Sequence, residues 1–275
     1  MNILIITLSI LLLLMITYLL CLKPNLGRKQ QITPFEQTYI AHRGYFDNDS
    51  DCPENSLPAF QKAIKNGYGI ELDVQLTKDG KMVVFHDTTL QRMCGVNKKV
   101  TDCTYHELKA LKLVNTNHSI PLFTEVLQVI HGSVPVIIEI KTKEYDVTLA
   151  KKLMELLANY HGSYCIESFH PGMIRWFKKN HPEVIRGLLS TDYKKNKMKI
   201  HPILGLILTN LLLNWYAKPD FIAYNHKYAN QFSYRICRRL YPVVNAAWTI
   251  RNQNELNKAQ KIFSIIIFDG FKPHN

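Results

Sequence analysis

Several common signatures are missing from this 275-residue sequence, and each absence excludes something. The six cysteines, Cys21, Cys52, Cys94, Cys103, Cys165 and Cys237, include no pair at C-x-x-C spacing. That removes zinc ribbons and thioredoxin-like redox motifs. There is no zinc-finger spacing and no RNP-like aromatic strand, so no nucleic acid partner is expected despite the basic balance. No Gly-rich phosphate turn follows the first apolar run, which weighs against a doubly wound dinucleotide fold. Acidic residues are few: 22 Asp and Glu against 34 Lys and Arg, a net charge of +12. Such a surface favours anionic partners, whether acidic membrane or phosphorylated small molecules. A barrel of this length needs no disulfide scaffold, so the cysteines read as free thiols in a reducing compartment, with a Cys94–Cys103 bridge as the alternative for an exported domain.

Charge is also absent from the first 22 residues, which are almost wholly apolar. A helix of about 20 such residues can cross a hydrocarbon core of roughly 30 Å. A cleaved signal peptide is the competing reading, but no basic residue opens the segment and the bulky Tyr18-Leu19-Leu20-Cys21 offers no small-residue cleavage site. The expectation is an uncleaved transmembrane anchor over 1–23, a linker over 24–37 and one folded domain over 38–275. Lys23, Arg28 and Lys29 follow the anchor, and the positive-inside rule puts the domain on the cytoplasmic side of a single-pass membrane protein.

Beyond the anchor, eight short apolar runs at 38–41, 69–74, 134–140, 163–167, 184–189, 221–224, 243–248 and 264–268 alternate with helix-like stretches such as 56–65, 147–160, 172–179, 231–240 and 253–261. Eightfold strand-helix alternation predicts an α/β protein of the TIM (β/α)8 barrel type. One run, 82–86, follows the second strand too closely for a helical crossover. Asp79-Gly80 is a hairpin turn signal. Taken as a two-residue turn, it pairs Thr77 with Met82, Gln75 with Val84 and Asp73 with His86, so a small hairpin insertion after the second strand is expected to bring His86 beside Asp73.

Charged residues cluster where strands end, the face on which barrels carry their sites. His42-Arg43-Gly44 closes the first strand: a proton-transfer group, a phosphate-gripping guanidinium and a residue that permits a sharp turn. Glu71 and Asp73 end the second strand two residues apart, on one side. Two carboxylates held together need a cation between them, and oxygen ligands suit a hard divalent metal. Glu139 and Lys141 repeat the spacing on the third strand, as a further ligand and a phosphate-neutralising ammonium or as a plain rim ion pair. With His86, the set suits phosphodiester cleavage, one histidine taking and the other giving a proton.

These residues lie in stretches that resemble the glycerophosphodiester phosphodiesterase family, within the phosphatidylinositol phospholipase C-like superfamily. The stretches are Ile40-Ala41-His42-Arg43-Gly44, Pro53-Glu54-Asn55-Ser56, residues 69–87, Ile120-Pro121-Leu122, Ile138-Glu139-Ile140-Lys141 and Ala247-Trp248-Thr249. The resemblance covers residues 39–273. It implies hydrolysis of a glycerophosphodiester to sn-glycerol 3-phosphate and an alcohol, with Ca2+ or Mg2+ as cofactor. It casts His42 and His86 as the acid/base pair, Glu71, Asp73 and Glu139 as metal ligands, and Arg43 and Lys141 as phosphate contacts. Trp248 would pack on the glycerol, with Glu54 orienting Arg43 and Asn55 nearby in support. A phospholipase C-like route through a cyclic phosphate, and a binding module that has lost activity, are the alternatives.

The sequence departs from the family in an acidic loop over 45–52, in Arg251 where the family often has Asn, and in a last strand reading Phe263-Ser264-Ile265 in place of a Gly/Asp-containing stretch. These bear on substrate choice, which extends to lysophospholipids. Lys194, Lys195, Lys197 and Lys199 precede an apolar stretch over 203–215, too short to span a bilayer. It is either a helix covering the barrel or, over 194–215, a basic-apolar lip that dips into the membrane.

Overall fold

The computed structural model describes residues 2–142 and 145–274, Asn2 by its backbone alone. The strands are β1 (Ile40–His42), β2 (Gly69–Leu76), β3 (Met82–Val84), β4 (Val136–Ile140), β5 (Tyr164–Ser168), β6 (Arg186–Ser190), β7 (Phe221–Asn225), β8 (Val244–Ile250) and β9 (Ile265–Phe268). All but β3 pair in parallel in the order β1-β9-β8-β7-β6-β5-β4-β2, and β1 pairs with β2 to close the ring. The eight expected runs are these eight strands, in a TIM barrel.

The helices are α1 (Asn2–Leu22), α2 (Lys29–Glu36), α3 (Leu57–Lys65), α4 (Gln91–Cys94), α5 (Tyr105–Lys109), α6 (Phe123–Ile130), α7 (Thr148–Leu157), α8 (Pro171–Asn180), α9 (Pro202–Thr209), α10 (Asn214–Ala217), α11 (Phe232–Leu240) and α12 (Gln253–Ala259). Those packed on the barrel cover the outward residues of the strands. Alternate strand residues, including Ile70, Leu72, Val74, Ile138 and Ile166, pack outward in a large core with Phe60, Phe123, Leu153, Phe177 and Leu256 of the helices. The opposite parity points inward, where Ile40, Ile137, Cys165, Phe221, Val244, Ile265 and Ile267 fill the barrel. Gly187 exists for this filling: a Cβ there would meet the Phe221 ring at 2.2 Å.

Two expectations need correction. The β2–β3 hairpin is offset by one residue: Val74 pairs with Val84, Gln75 with Val83 and Leu76 with Met82. Thr77 N donates to Lys81 O at 2.9 Å, so the turn spans Lys78, Asp79 and Gly80, with Gly80 at φ +71 in the left-handed region. A slip of one residue would turn His86 away from the site if the ladder continued. It gives one more bond, Phe85 N to Asp73 O at 2.9 Å, and ends there; Gln75 Nε2 then holds both Phe85 O at 2.7 Å and Asp87 O at 2.9 Å. That clamp, not strand pairing, aims His86. The hairpin is also part of a larger insertion, whose own small core contains Val83, Phe85, Met93, Val100, Leu108 and Ile120.

The stretch read as a linker contains α2. Its Ile32 and Phe35 are buried among the lower interior residues of the barrel. Pro34 inside α2 masked the helix in the sequence, since proline normally breaks one. Before it, the Arg28 guanidinium donates to the carbonyls of Pro182 and Glu183. All six cysteines are free thiols. α1 is long and apolar enough to cross a membrane, with mean hydropathy 2.8 over Ile3–Leu22.

Phe35→Ala should empty the plug at the barrel floor and cost about 3–5 kcal/mol, the usual range for deleting a buried phenylalanine. Urea unfolding of the detergent-solubilised protein measures it; a loss below about 0.5 kcal/mol, typical of surface positions, would mean that α2 is not part of the core.

Candidate active site

Continuing the inward-facing parity up each strand converts the apolar filling into charge. Ile40 gives way to His42 on β1, Ile137 to Glu139 on β4, Cys165 to Glu167 on β5 and Ile267 to Asp269 beyond β9. On β2 the same parity presents Glu71, Asp73 and Gln75. Parallel registers set these residues side by side: His42 opposite Glu71, Asp73 opposite Glu139, Glu139 opposite Glu167.

The three expected ligands are brought together. Oxygens of Glu71, Asp73 and Glu139 lie within 4.8 Å of one another, and all three side chains are buried. Lys141 Nζ sits between two of them, 2.7 Å from Glu139 Oε1 and 3.0 Å from Asp73 Oδ1. Arg43 takes up an uncommon left-handed backbone, φ +57, and its N–H donates to Glu71 Oε2 at 3.0 Å. Gly44 continues the turn at φ +81, and a Cβ there would meet Ala59 at 2.9 Å. The guanidinium of Arg43 donates to Glu54 Oε1 at 2.8 Å and lies 3.5 Å from Asp73 Oδ2. Asn55, at φ +54, donates from Nδ2 to Asp73 Oδ2 at 2.8 Å. Strained backbone at two such residues is the kind of outlier that collects at functional sites.

Each histidine is backed by a carboxylate, and each carboxylate by an arginine. His42 Nδ1 lies 3.1 Å from Asp269 Oδ2, and Arg251 Nε donates to Asp269 Oδ1 at 3.0 Å. His86 Nδ1 lies 2.6 Å from Asp87 Oδ1, and Arg92 Nε donates to Asp87 Oδ2 at 2.6 Å. Arg92 also grips both oxygens of Glu54. An ionised aspartate only accepts, so the Nδ1 proton points at it and Nε2 is left for chemistry. Burial depresses the His42 pKa, and Arg43 adds to this, outweighing the hydrogen bond and charge of Asp269. Asp269 stays below the usual carboxylate range, because His42 and Arg251 overcome its burial. Glu54 is held at about 2 by Arg92 and Arg43 against its own burial.

Sequence reasoning missed Glu167, Asp269, Arg92 and, as a partner of Asp269, Arg251. The Gly/Asp pair expected in the last strand is Asp269-Gly270, five residues beyond where it was sought. The signal for Glu167 was its place two residues after Cys165 in an apolar strand. Trp248 stands half-buried at the upper end of β8; its indole N–H donates to Ala223 O at 3.0 Å and its ring meets Phe169 edge-on at 5.5 Å.

The electrostatics fit a divalent cation. Four buried carboxylates, Glu71, Asp73, Glu139 and Glu167, face two cations, Arg43 and Lys141. Burial and mutual repulsion raise the pKa of Glu71 and Glu167 well above the ordinary range and raise Glu139 as well. Only Asp73 is lowered, where Lys141, His86 and Arg43 overcome its burial. Glu71 Oε1 is buried with no hydrogen-bond partner among the described residues. An oxygen-only donor set with excess negative charge suits a hard ion.

Below their raised pKa values these carboxyls hold protons, which a metal must displace. Divalent ion should therefore stabilise the protein more at pH 8 than at pH 5.5. At 100-fold excess over Kd the gain is about 2.7 kcal/mol. Thermal melts with Ca2+ or Mg2+ against EDTA at the two pH values provide the check; an equal shift in Asp73→Asn would remove the cluster as the binding site.

Comparison with known proteins identifies the family. The profile of the glycerophosphoryl diester phosphodiesterase family matches residues 42–269. A glycerophosphodiester phosphodiesterase of Bacillus altitudinis is 36% identical over 168 residues, 56% of this chain and 66% of that protein. Lysophospholipase D GDPD1 of Homo sapiens is 30% identical over 217 residues, 71% of this chain and 63% of that protein. The chain thus spans just under two thirds of the length of these curated relatives. Among solved structures, a phosphodiesterase of Oleispira antarctica in complex with sn-glycerol-3-phosphate superposes with a TM-score of 0.68 at 20% identity, over 85% of this chain and 92% of that one. A glycerophosphodiester phosphodiesterase of Thermotoga maritima gives 0.64 at 26% identity, over 84% and 94%. This chain belongs to the glycerophosphoryl diester phosphodiesterase family.

Proposed function

We propose that this protein hydrolyses glycerophosphodiesters, lysophospholipids among them, to sn-glycerol 3-phosphate or a lysophosphatidate and an alcohol, at a membrane. The observation that carries the reading is the pair of aspartate-backed histidines, one on either side of a carboxylate cluster. Glu71, Asp73 and Glu139 would hold the divalent cation, Ca2+ or Mg2+, which when bound supplies positive charge to the phosphate. Arg43 and Lys141 bind the non-bridging oxygens. His42, kept neutral near pH 7 by burial, takes a proton from the attacking water through Nε2. The water oxygen bonds to phosphorus as the bond to the alcohol oxygen breaks, and His86 gives the departing oxygen its proton. Trp248 packs on the glycerol. Glu54 holds Arg43, and Asn55 holds Asp73, in the orientation this requires.

α1 is the proposed single-pass anchor, with the barrel on the cytoplasmic side next to Lys23, Arg28 and Lys29. The exposed Ile203, Leu204, Leu206 and Trp215, beside a run of lysines, support contact of the 194–215 segment with the bilayer.

Release of glycerol phosphate from glycerophosphocholine should require added divalent ion and fall by about 10²–10⁴-fold in His42→Ala. Activity that survives EDTA, or full activity in the variant, would overturn the reading. The acid limb of kcat/KM should lie below pH 6.5, because burial lowers His42. In Asp269→Asn the group that raises the His42 pKa is gone, so the limb should move to still lower pH; an unmoved limb would mean that another group sets it.

A further inference from the structure

The anchor is fixed to the barrel in a definite direction. Tyr18 donates its hydroxyl to Ser233 Oγ at 2.7 Å, and four residues later Leu22 O accepts from Cys237 Sγ at 3.4 Å and Asn214 Nδ2 at 3.0 Å. Equal steps along both chains mean that α1 runs parallel to α11 at this contact. α11 follows β7, so it starts at the rim made by the strand C-terminal ends and descends toward the barrel floor. The exposed, apolar part of α1 before Tyr18 therefore rises from the same rim that carries the histidines and carboxylates.

Beside that rim, between α9 and the start of α11, lies a cavity of about 940 Å³. This is within the range of about 300–1,000 Å³ typical of small-molecule sites. Tyr193, Met198, Ile200, Leu206 and Phe232 line it, and Lys194, Lys195 and Lys197 stand at its edge. Its one acidic member, Asp192, is paired with Lys195 at 3.3 Å. Phe232 is 68% and Leu206 64% exposed, and Phe232 directly precedes Ser233, the residue that holds Tyr18.

Two chains of contacts tie the cavity to its surroundings. Ser233 Oγ, which holds Tyr18, donates to Asn210 Oδ1 at 2.7 Å, and Gln231 Nε2 donates to the same oxygen at 2.6 Å. Asn210 and Gln231 are cavity walls, so the anchor is keyed to them. In the other direction, the Tyr193 ring meets Phe169 edge-on at 6.4 Å and Phe169 meets Trp248 at 5.5 Å. The Tyr193 hydroxyl is buried without a hydrogen-bond partner among the described residues, and Glu139 lies close enough for its charge to act on it. Tyr193 is thus the shared wall between the carboxylate cluster and this cavity.

We propose that this cavity receives the acyl chain of a lysophospholipid substrate, which passes from the glycerol at Trp248 along Phe169 and Tyr193 into the space between α9 and α11. The proposal rests on the phosphodiesterase reading above and makes a single-chain lipid, drawn from the bilayer, the substrate for which this chain is shaped. A diester without an acyl chain uses only the charged part of the site.

The test uses the full-length protein in phosphatidylcholine nanodiscs, with glycerophosphocholine and palmitoyl lysophosphatidylcholine as paired substrates. Gly205→Phe fills the cavity, since even a Cβ at that position meets Ile200 at 3.3 Å and Tyr193 at 3.5 Å. Leu206→Glu, at an exposed position that tolerates polarity, puts a charge at its mouth. Both should lower kcat/KM for the lysolipid by at least about tenfold and leave glycerophosphocholine within about twofold. A lysophosphatidylcholine carrying a diazirine at the chain end should crosslink to residues 192–210 or 230–232. Equal loss on both substrates in variants of unchanged Tm, an unaffected lysolipid rate, or crosslinks only elsewhere would overturn the proposal. A wild type that cleaves neither substrate overturns the hydrolase reading instead, and the crosslink then still decides the cavity.

Discussion

Like charges held together out of water govern the upper half of this barrel. Glu71, Asp73, Glu139 and Glu167 share a space that burial makes hostile to charge, and each raises the cost of ionising the others. Such a cluster persists only if its neighbours compensate. Lys141 wedges between Asp73 and Glu139, Arg43 approaches Asp73 from the side, and the backbone at Arg43 adopts a strained conformation that delivers its N–H to Glu71. The remaining excess of negative charge is what makes a divalent ion a natural occupant. Barrel closure is the device that makes this affordable: the carboxylates stand on rigid adjacent strands over a packed apolar filling, so they cannot simply move apart.

Much of this was legible because a strand repeats every two residues. Once the apolar runs were recognised as strands, Glu71 with Asp73 and Glu139 with Lys141 had to share a side, and the parallel order set the pairs next to each other. Glu167 and Asp269 follow the same rule but sit alone on their strands, so nothing local marked them. Their meaning depends on ring closure, which puts the last strand against the first and makes Asp269 the partner of His42, 227 residues away. The hairpin shows a different limit. Asp79-Gly80 correctly signalled a turn, but turn length is decided by which residue takes the left-handed backbone. It is Gly80 in a three-residue turn, and every pairing shifts by one. His86 reached the site by a side-chain clamp from Gln75 that no periodicity encodes. The helix in the supposed linker was hidden by Pro34, while its two anchoring residues, Ile32 and Phe35, are too few to register as a pattern.

The two histidines are supported in parallel ways by elements of different kinds. His42 leans on Asp269, buried just beyond β9, and through it on the exposed Arg251 just after β8. His86 leans on Asp87 and Arg92, which belong to the insertion with its own small core. One histidine is therefore mounted on a strand of the closed barrel and the other on an insertion outside it.

Arg92 gives that difference a consequence. Nearly half exposed, it holds Asp87 behind His86 and, with the same guanidinium, holds Glu54 behind Arg43. The insertion and the loop that carries Arg43 and Glu54 thus share this fastener, with a His118–Asp51 pair at 3.1 Å beside it. Small units with cores of their own open more often than the domain that carries them. Were this one to open, Arg92 would release Asp87 behind His86 and Glu54 behind Arg43 together, while the carboxylate cluster stands on the barrel strands below. On the proposed reading, a bound cation would then be kept through excursions in which turnover stops.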